Sequence, residues 1–334
     1  MLDEPLLDET NEDDMTWLIT GGAGYIGSHV VRAFAAADIP TVVLDDLSSG
    51  HHSFVDPEQD FVEGTLLDVA LLDRVFSEYR FAGVVHIAGY KYAGESVAKP
   101  VHTYEQNVTA TTNLLAAAER AGVTRVVFSS SAAVYGTPDV ELVTEGTPTH
   151  PESPYGESKL IGEWLLRDQG RATGLQHTSL RYFNVVGSAT PSLRDTSPHN
   201  LFPLVFAALA DGRTPRINGV DYPTPDGTCV RDYVHVADIA EAHVRAAERL
   251  TAGDAIEPIY NLGSGDGVSV RQIMDGVARV TGVDFEPEIH DRRPGDPARI
   301  VASGELAARD LDWRMRHSLD EMIASAWEAA RAPA

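Results

Sequence analysis

One cysteine, Cys229, stands in 334 residues, so an intrachain disulfide is excluded and a reducing compartment is expected. Cys229 has no companions at metal-ligand spacing, and no metal site is expected. Positive charge is also scarce: 26 Lys and Arg face 50 Asp and Glu, a formal net charge of −24. That balance disfavours nucleic acid and anionic membrane surfaces as partners, and an anionic ligand must be held by local cations or backbone N–H groups. No apolar run approaches the length of a membrane span, so a cytoplasmic protein is expected. Residues 1–14 contain seven acidic side chains and no basic one, unlike the cationic start of a signal peptide. This stretch is expected to be a disordered, solvated extension, with Met15 a candidate start. Repeats and low-complexity runs are absent. A hydrophobic content of 43% with 23% charged residues leaves room for a large buried core in one large or two modest domains.

What is present begins with glycine. An apolar strand pattern over 17–20 runs into Gly21-Gly22-Ala23-Gly24-Tyr25-Ile26-Gly27 and then a helical pattern over 25–37. Gly21, Gly24 and Gly27 let the backbone turn tightly, approach a pyrophosphate and pack helix on strand, while the helix N-terminus faces the phosphates. A second strand, 41–44, ends in Asp45 at the spacing of a dinucleotide-binding fingerprint. Its carboxylate is placed to accept a ribose 2′-hydroxyl and would repel a 2′-phosphate, so the expected cofactor is NAD rather than NADP. The competing reading of Asp45 is a turn residue in Asp45-Asp46-Leu47-Ser48-Ser49-Gly50.

Strand and helix signals then alternate: strands over 61–63, 83–87, 125–130 and 177–181, helices over 69–77 and 107–121, and a helix opening at Ser153. The alternation predicts an α/β fold, a doubly wound parallel Rossmann sheet over residues 15–187, with ligands beyond the carboxyl ends of the strands. Those ends carry the 21–27 loop, Asp45, His86-Ile87-Ala88-Gly89 and Ser129-Ser130-Ser131, with Lys91 on the same rim. Residues 188–334 are expected to form a smaller, mixed α/β substrate-binding lobe interwoven with the first. Its predicted helices span 201–210, 238–250, 269–281 and 318–330, and its predicted strands span 258–262 and 285–289. Ser269 with Gln272, and Ser318 with Glu321, have capping-box spacing. Arg216, Arg231, Arg292 and Arg293 are candidate phosphate clamps, with surface ion pairs the alternative for each.

Chemistry is suggested by Ser153-Pro154-Tyr155-Gly156-Glu157-Ser158-Lys159, where Tyr155 and Lys159 share one helix face. A phenol with a pKa near ~10 is a poor base at neutral pH, and a neighbouring cation lowers that value by stabilising the phenolate. Proton exchange with an alcohol then becomes feasible. Ordinary i,i+4 surface neighbours have the same spacing, so the glycine loop and Asp45 are what favour the chemical reading.

With 94–97, 129–136, 181–184, 222–228, 230–236 and 292–296, these stretches resemble the extended short-chain dehydrogenase/reductases from Thr16 to Trp327. Within that family the resemblance is to enzymes that epimerise UDP-sugars at carbon 4, most specifically through Asp226-Gly227-Thr228-Cys229-Val230-Arg231-Asp232-Tyr233. It implies Ser131, Tyr155 and Lys159 as a catalytic trio. Gly21, Gly24, Tyr25, Ile26, Gly27, Asp45, Asp46, Lys91, Asn107 and Phe183 are implied to meet NAD, as are Tyr155 and Lys159. Asn184, Asn200, Leu201, Arg231, Arg293 and Asp296 are implied to hold the UDP-sugar, with Arg216, Ser131 and Tyr155 beside them. Three positions depart from the family pattern: Thr65, with Leu66, replaces an aspartate at the adenine, Asn218 replaces an aromatic residue beside the uridine, and Ala133 replaces a threonine near the sugar.

The implied activity is NAD-dependent interconversion of UDP-glucose and UDP-galactose. Tyr155, as a phenolate held at low pKa by Lys159, would take the proton of the carbon-4 hydroxyl during hydride transfer, and the 4-keto sugar would turn before reduction. A homodimer is the expected assembly. Alternatives are a UDP-N-acetylglucosamine 4-epimerase, a sugar-nucleotide dehydratase and a non-catalytic NAD-sensing module. The dehydratase needs an acidic residue where Ala132 and Ala133 stand, and the sensing module has no need of Ser131, Tyr155 and Lys159 together. The resemblance also implies that Ile300, aligned from Asp296 and stiff at its first torsion, borders the space behind carbon 2 and disfavours N-acetylated sugars, with a core position facing away from the sugar as the alternative.

Overall fold

The computed structural model describes residues 16–293 and 296–332, so the acidic 1–14 stretch and Met15 lie outside the described residues. Strands β1 (Thr16–Thr20), β2 (Thr41–Asp45), β3 (Asp60–Glu63), β4 (Phe81–His86), β5 (Arg125–Ser131) and β6 (Gln176–Tyr182) come first in the chain. They are interleaved with helices α1 (Tyr25–Ala36), α2 (Val69–Glu78), α3 (Ala93–Ala98), α4 (Pro100–Tyr104), α5 (Ala110–Arg120) and α6 (Pro154–Thr173). Parallel strands covered on both faces are apolar along their length, and β4 is buried at every residue.

The second half supplies β7 (Asn184–Val186), α7 (Leu201–Ala210), β8 (Arg216–Asn218), β9 (Val230–Arg231), β10 (Tyr233–His235), α8 (Val236–Thr251) and β11 (Ile259–Leu262). After these come β12 (Val268–Ser269), α9 (Val270–Thr281), β13 (Glu288–His290), β14 (Arg299–Ile300), α10 (Glu305–Asp310) and α11 (Leu319–Arg331). The main sheet runs β11-β6-β5-β4-β1-β2-β3, all parallel. Its order reverses between β1 and β4, which opens a crevice at their carboxyl ends.

Residues 236–262, placed by sequence in the second lobe, return to the first layer. Ile239, Ala240, Ala246 and Ala247 of α8 share a core with Val30, Val31 and Phe34 of α1, and β11 pairs with β6. The second lobe has its own core, where Phe202 and Phe206 of α7 meet Ile273 and Val277 of α9 and Met322 and Ile323 of α11. Both capping boxes form, at Ser269/Gln272 and Ser318/Glu321, and they start α9 and α11. The strand predicted over 285–289 is displaced to β13. The helix predicted over 107–121 opens instead with a wide π turn, Glu105–Thr109, centred on Asn107. Among the described residues no helix is long and apolar enough to cross a membrane, and no His, Cys, Asp and Glu group is arranged to hold a metal ion.

Candidate active site

A cavity of about 870 Å³ lies over the carboxyl ends of the central strands, and the glycine loop forms its floor. Gly21 has φ +76°, and a Cβ there would come within 2.7 Å of the Ala88 backbone nitrogen, while one on Gly27 would fall 2.0 Å from the Gly21 carbonyl oxygen. No other residue fits either place. Helix α1 has Gly24 at its N-cap, and so no side-chain cap, and it carries no acidic residue in its first turn. Its first N–H groups are therefore left for an anion at the cavity wall lined by Gly24, Tyr25, Ile26 and Gly27.

Asp45 closes β2 beside this floor. One carboxylate oxygen accepts the Ala23 N–H at 3.0 Å and the other accepts the Leu47 N–H at 2.8 Å. Burial nevertheless raises its pKa. The side chain is thus fixed in direction, with lone pairs left for hydroxyl donors. Asp46, Thr65 and Leu66 line the same end, and Lys91 and Phe183 also face the cavity. A pyrophosphate seat beside an acidic hydroxyl acceptor fits NAD.

The reacting groups come from α6 and β5. Ser153 caps α6 by accepting the Gly156 N–H at 3.2 Å, with Pro154 in the first turn. Gly156 lets the helix approach the end of β5, since a Cβ there would lie 2.5 Å from the Ala133 carbonyl oxygen. Tyr155 and Lys159 consequently face the cavity together with Ser131.

Burial is the largest influence on their electrostatics. Burial pushes the Tyr155 phenol above its ordinary value, and the group that opposes this is the Ser131 hydroxyl. Lys159 donates to the Ser129 carbonyl oxygen at 2.9 Å, and its ammonium lies 5.9 Å from the centre of the Tyr155 ring. The ammonium is thus held by the strand-end carbonyl while its charge stays on the same side of the cavity as the phenol. Burial also brings Lys159 down to about 8, against an upward pull from Glu163.

Asn107 is buried behind the cavity rather than on its lining. Its amide is consumed by the rim: Nδ2 donates to the Tyr90 carbonyl oxygen at 3.0 Å and to Ser158 Oγ at 2.8 Å, and Oδ1 accepts the Tyr90 N–H at 2.6 Å. The π turn aims it inward, and its geometry is that of a brace for residues 89–91.

Asn184, Asn200, Leu201, Arg216, Asn218, Arg231, Arg293 and Asp296 all line the far side of the same cavity. Arg231 is held by the carbonyl oxygens of Val230 and Pro297, at 2.9 and 2.7 Å, and lies 3.5 Å from Asp296. Arg216 lies 3.6 Å from Glu288. The Asn218 amide, turned so that its oxygen faces Arg293, accepts from Nη2 at 3.2 Å and Nε at 3.1 Å.

Two expected positions fall elsewhere. Arg292 covers the Tyr222 ring at 4.2 Å and pairs with Asp221 at 2.6 Å, so its guanidinium is taken up outside the cavity lining. Ile300 packs with Val134, Tyr135, Val143 and Leu160 and does not border the cavity, because that apolar cluster offers it nearly complete burial. Arg194, Asp195 and His199, which the sequence reading did not single out, do border it. Asp195 accepts from Asn200 Nδ2 at 2.7 Å and from the Ser197 N–H at 3.0 Å. The Asp-x-Ser turn was a readable signal for that bend, but its facing the cavity was not.

The pattern of the NAD dependent epimerase/dehydratase family matches residues 17–263. A UDP-glucose 4-epimerase of Azospirillum brasilense is 44% identical over 319 residues, spanning 93% of this chain and 91% of that one. The crystal structure of UDP-glucose 4-epimerase from Brucella ovis in complex with NAD superimposes with a TM-score of 0.88 at 40% identity, over 94% and 97% of the two chains. The UDP-Glc/GlcNAc 4-epimerase of Campylobacter jejuni gives a TM-score of 0.83 at 36% identity, over 95% and 99%. A match across most of the chain, on a fold whose crevice fits the dinucleotide, makes this chain a member of the NAD dependent epimerase/dehydratase family.

Proposed function

We propose that this chain is an isomerase that interconverts UDP-glucose and UDP-galactose through a 4-keto sugar, with NAD as resident cofactor. The observation that carries the reading is the convergence of Ser131, Tyr155 and Lys159 with Arg231 and Arg293 on the one cavity floored by the glycine loop. When bound, NAD supplies reversible hydride acceptance. The first-turn N–H groups of α1 seat its pyrophosphate, Asp45 takes a ribose hydroxyl, and Lys91 and Phe183 complete its wall. Arg231, Arg293 and Asp296, with Asn184, Asn200, Leu201, Arg216 and Asn218, grip the UDP portion.

Tyr155 moves the proton of the carbon-4 hydroxyl, Ser131 orients that hydroxyl, and Lys159 supplies the positive charge beside it. An anchor confined to the nucleotide leaves the sugar free to present either face. Residues 16–187 with 236–262 form the cofactor-binding part, and the remainder forms the sugar-nucleotide part. A coupled assay on purified protein, converting UDP-galactose to UDP-glucose, tests this. Tyr155→Phe should lower turnover by about 10²- to 10⁴-fold while NAD stays bound, and unchanged turnover would refute the assignment.

A second reading, that N-acetylated UDP-sugars are also epimerised, is favoured by the placement of Ile300 away from the cavity. A relative similar to this chain is named for both kinds of sugar. Comparable kcat/KM for UDP-galactose and UDP-N-acetylgalactosamine would support it, and a large preference for UDP-galactose would exclude it.

We further infer a cytoplasmic homodimer. Val97 on α3, Val101 on α4 and Trp164 on α6 are exposed apolar side chains, at 64%, 81% and 47%. Light scattering on the wild type and on Trp164→Glu tests the dimer, since the variant should be monomeric.

A further inference from the structure

We propose that Glu163, locked to Arg181 and Ser130, is a positioning residue that keeps the ammonium of Lys159 charged. The proposal rests on the reading that Tyr155 and Lys159 perform the proton chemistry. Tyr155, Lys159 and Glu163 follow one another at four-residue steps on α6 and so share a face. The last three residues of β5 meet them in turn. Ser131 lies beside Tyr155, the Ser129 carbonyl oxygen takes Lys159 at 2.9 Å, and Ser130 Oγ donates to Glu163 Oε1 at 2.6 Å.

Arg181 stands opposite Ser130 in the β5–β6 register. It donates to both Glu163 oxygens, at 2.8 and 2.5 Å, and to the Tyr135 hydroxyl at 2.8 Å. Both side chains of the pair are almost wholly buried, at 3% and 5% exposure. A buried ion pair of this kind is poorly explained by stability, because apolar residues of similar volume commonly serve as well or better.

The other titratable groups around Lys159 carry no charge near neutral pH. Burial pushes His86 on β4 down to about 3 and His243, beyond Ser129, down to about 4. Burial raises Tyr155 and Tyr182. The charge that acts on Lys159 from within the fold is therefore that of Glu163, which is itself paired with Arg181. Without the carboxylate, burial and the remaining guanidinium would both favour loss of the Lys159 proton.

The chain has three lysines, Lys91, Lys99 and Lys159, so protein labelled with ¹³C at the lysine ε-carbon gives three resonances to follow against pH. In Glu163→Gln the Lys159 midpoint should move down by about one pH unit or more. The alkaline limb of the kcat profile should move with it, while KM for UDP-galactose stays unchanged. Because this variant leaves Arg181 unpaired, the double variant Glu163→Gln/Arg181→Met is measured beside it, with the same downward shift expected. An unshifted Lys159 midpoint in either folded variant overturns the proposal. Failure of both variants to fold overturns it too, because the pair would then be structural. The titration needs no turnover, so it decides the role of Glu163 even if Tyr155→Phe were to refute the proposed activity.

Discussion

The hydroxyl of Tyr25 donates to the carbonyl oxygen of Gly187 at 2.6 Å. This bond ties the first residue of α1, and with it the glycine cradle, to the turn where the chain leaves the first lobe. Gly187 has φ +93° and sits so close to His235 that a Cβ would fall 2.3 Å from its ring. The next two amides continue the seam: Ser188 N–H donates to Ser325 Oγ on α11 at 3.2 Å, and Ala189 N–H donates to His29 Nε2 at 3.1 Å. The cofactor cradle and the second lobe therefore share one line of hydrogen bonds.

Tyr25→Phe tests that seam. It leaves a buried carbonyl without its donor, which costs about 1–3 kcal/mol. Urea unfolding should show a lower midpoint with an unchanged slope, and an unchanged midpoint would mean that water satisfies Gly187 equally well.

Asp45→Ala should weaken NAD binding and let NADP compete, since it removes both the hydroxyl acceptor and the repulsion of a 2′-phosphate. Titration of both dinucleotides into the wild type and the variant measures this. Tighter binding of NADP than of NAD by the wild type would sink the assignment of Asp45.

Stability should fall steeply with mild acid. Burial brings His86 to about 3 and His29, His235 and His243 to about 4, whereas the unfolded chain protonates near the ordinary histidine value. Below about pH 6.5 the unfolded state binds protons that the folded state refuses, so stability drops as pH falls from there toward 4. Each fully shifted imidazole contributes on the order of 1.4 kcal/mol per pH unit in that window. The two most enclosed, His86 and His243, should dominate. Urea midpoints collected between pH 7 and pH 5 check the slope, and a flat profile would contradict it.

Added salt should raise the melting temperature. Ion pairs such as Arg120–Asp73 and Arg279–Asp320 are exposed and weaken with salt, but exposed pairs contribute little each. Self-repulsion from a net charge of −24 acts across the whole surface, and screening shortens from about 10 Å at 0.1 M to about 3 Å at 1 M. Melting in rising KCl measures which effect wins, and a falling melting temperature would give the decision to the pairs.

The parallel first lobe, the glycine cradle with Asp45, the start of α6 at Ser153 and both capping boxes are legible in the amino-acid order. Each of these depends on a short-range rule of periodicity, turn chemistry or i,i+4 spacing that operates within a few residues. Packing decided the rest. Arg292 and Arg293 are neighbours in sequence, yet one covers Tyr222 and the other faces the cavity. Asn107 reads as the start of a helix and becomes a brace because a π turn swings it toward Tyr90 and Ser158. Ile300 follows an apolar cluster drawn from distant segments, and β11 travels back across the lobe boundary to pair with β6. The spacing of Tyr155 and Lys159 promised a cation beside a phenol, but the charge state of that pair depends on the volume that buries them. That volume is assembled by Ser129, Ser131, Glu163 and Arg181 from three separate elements, and no local pattern encodes how deeply a group will be desolvated.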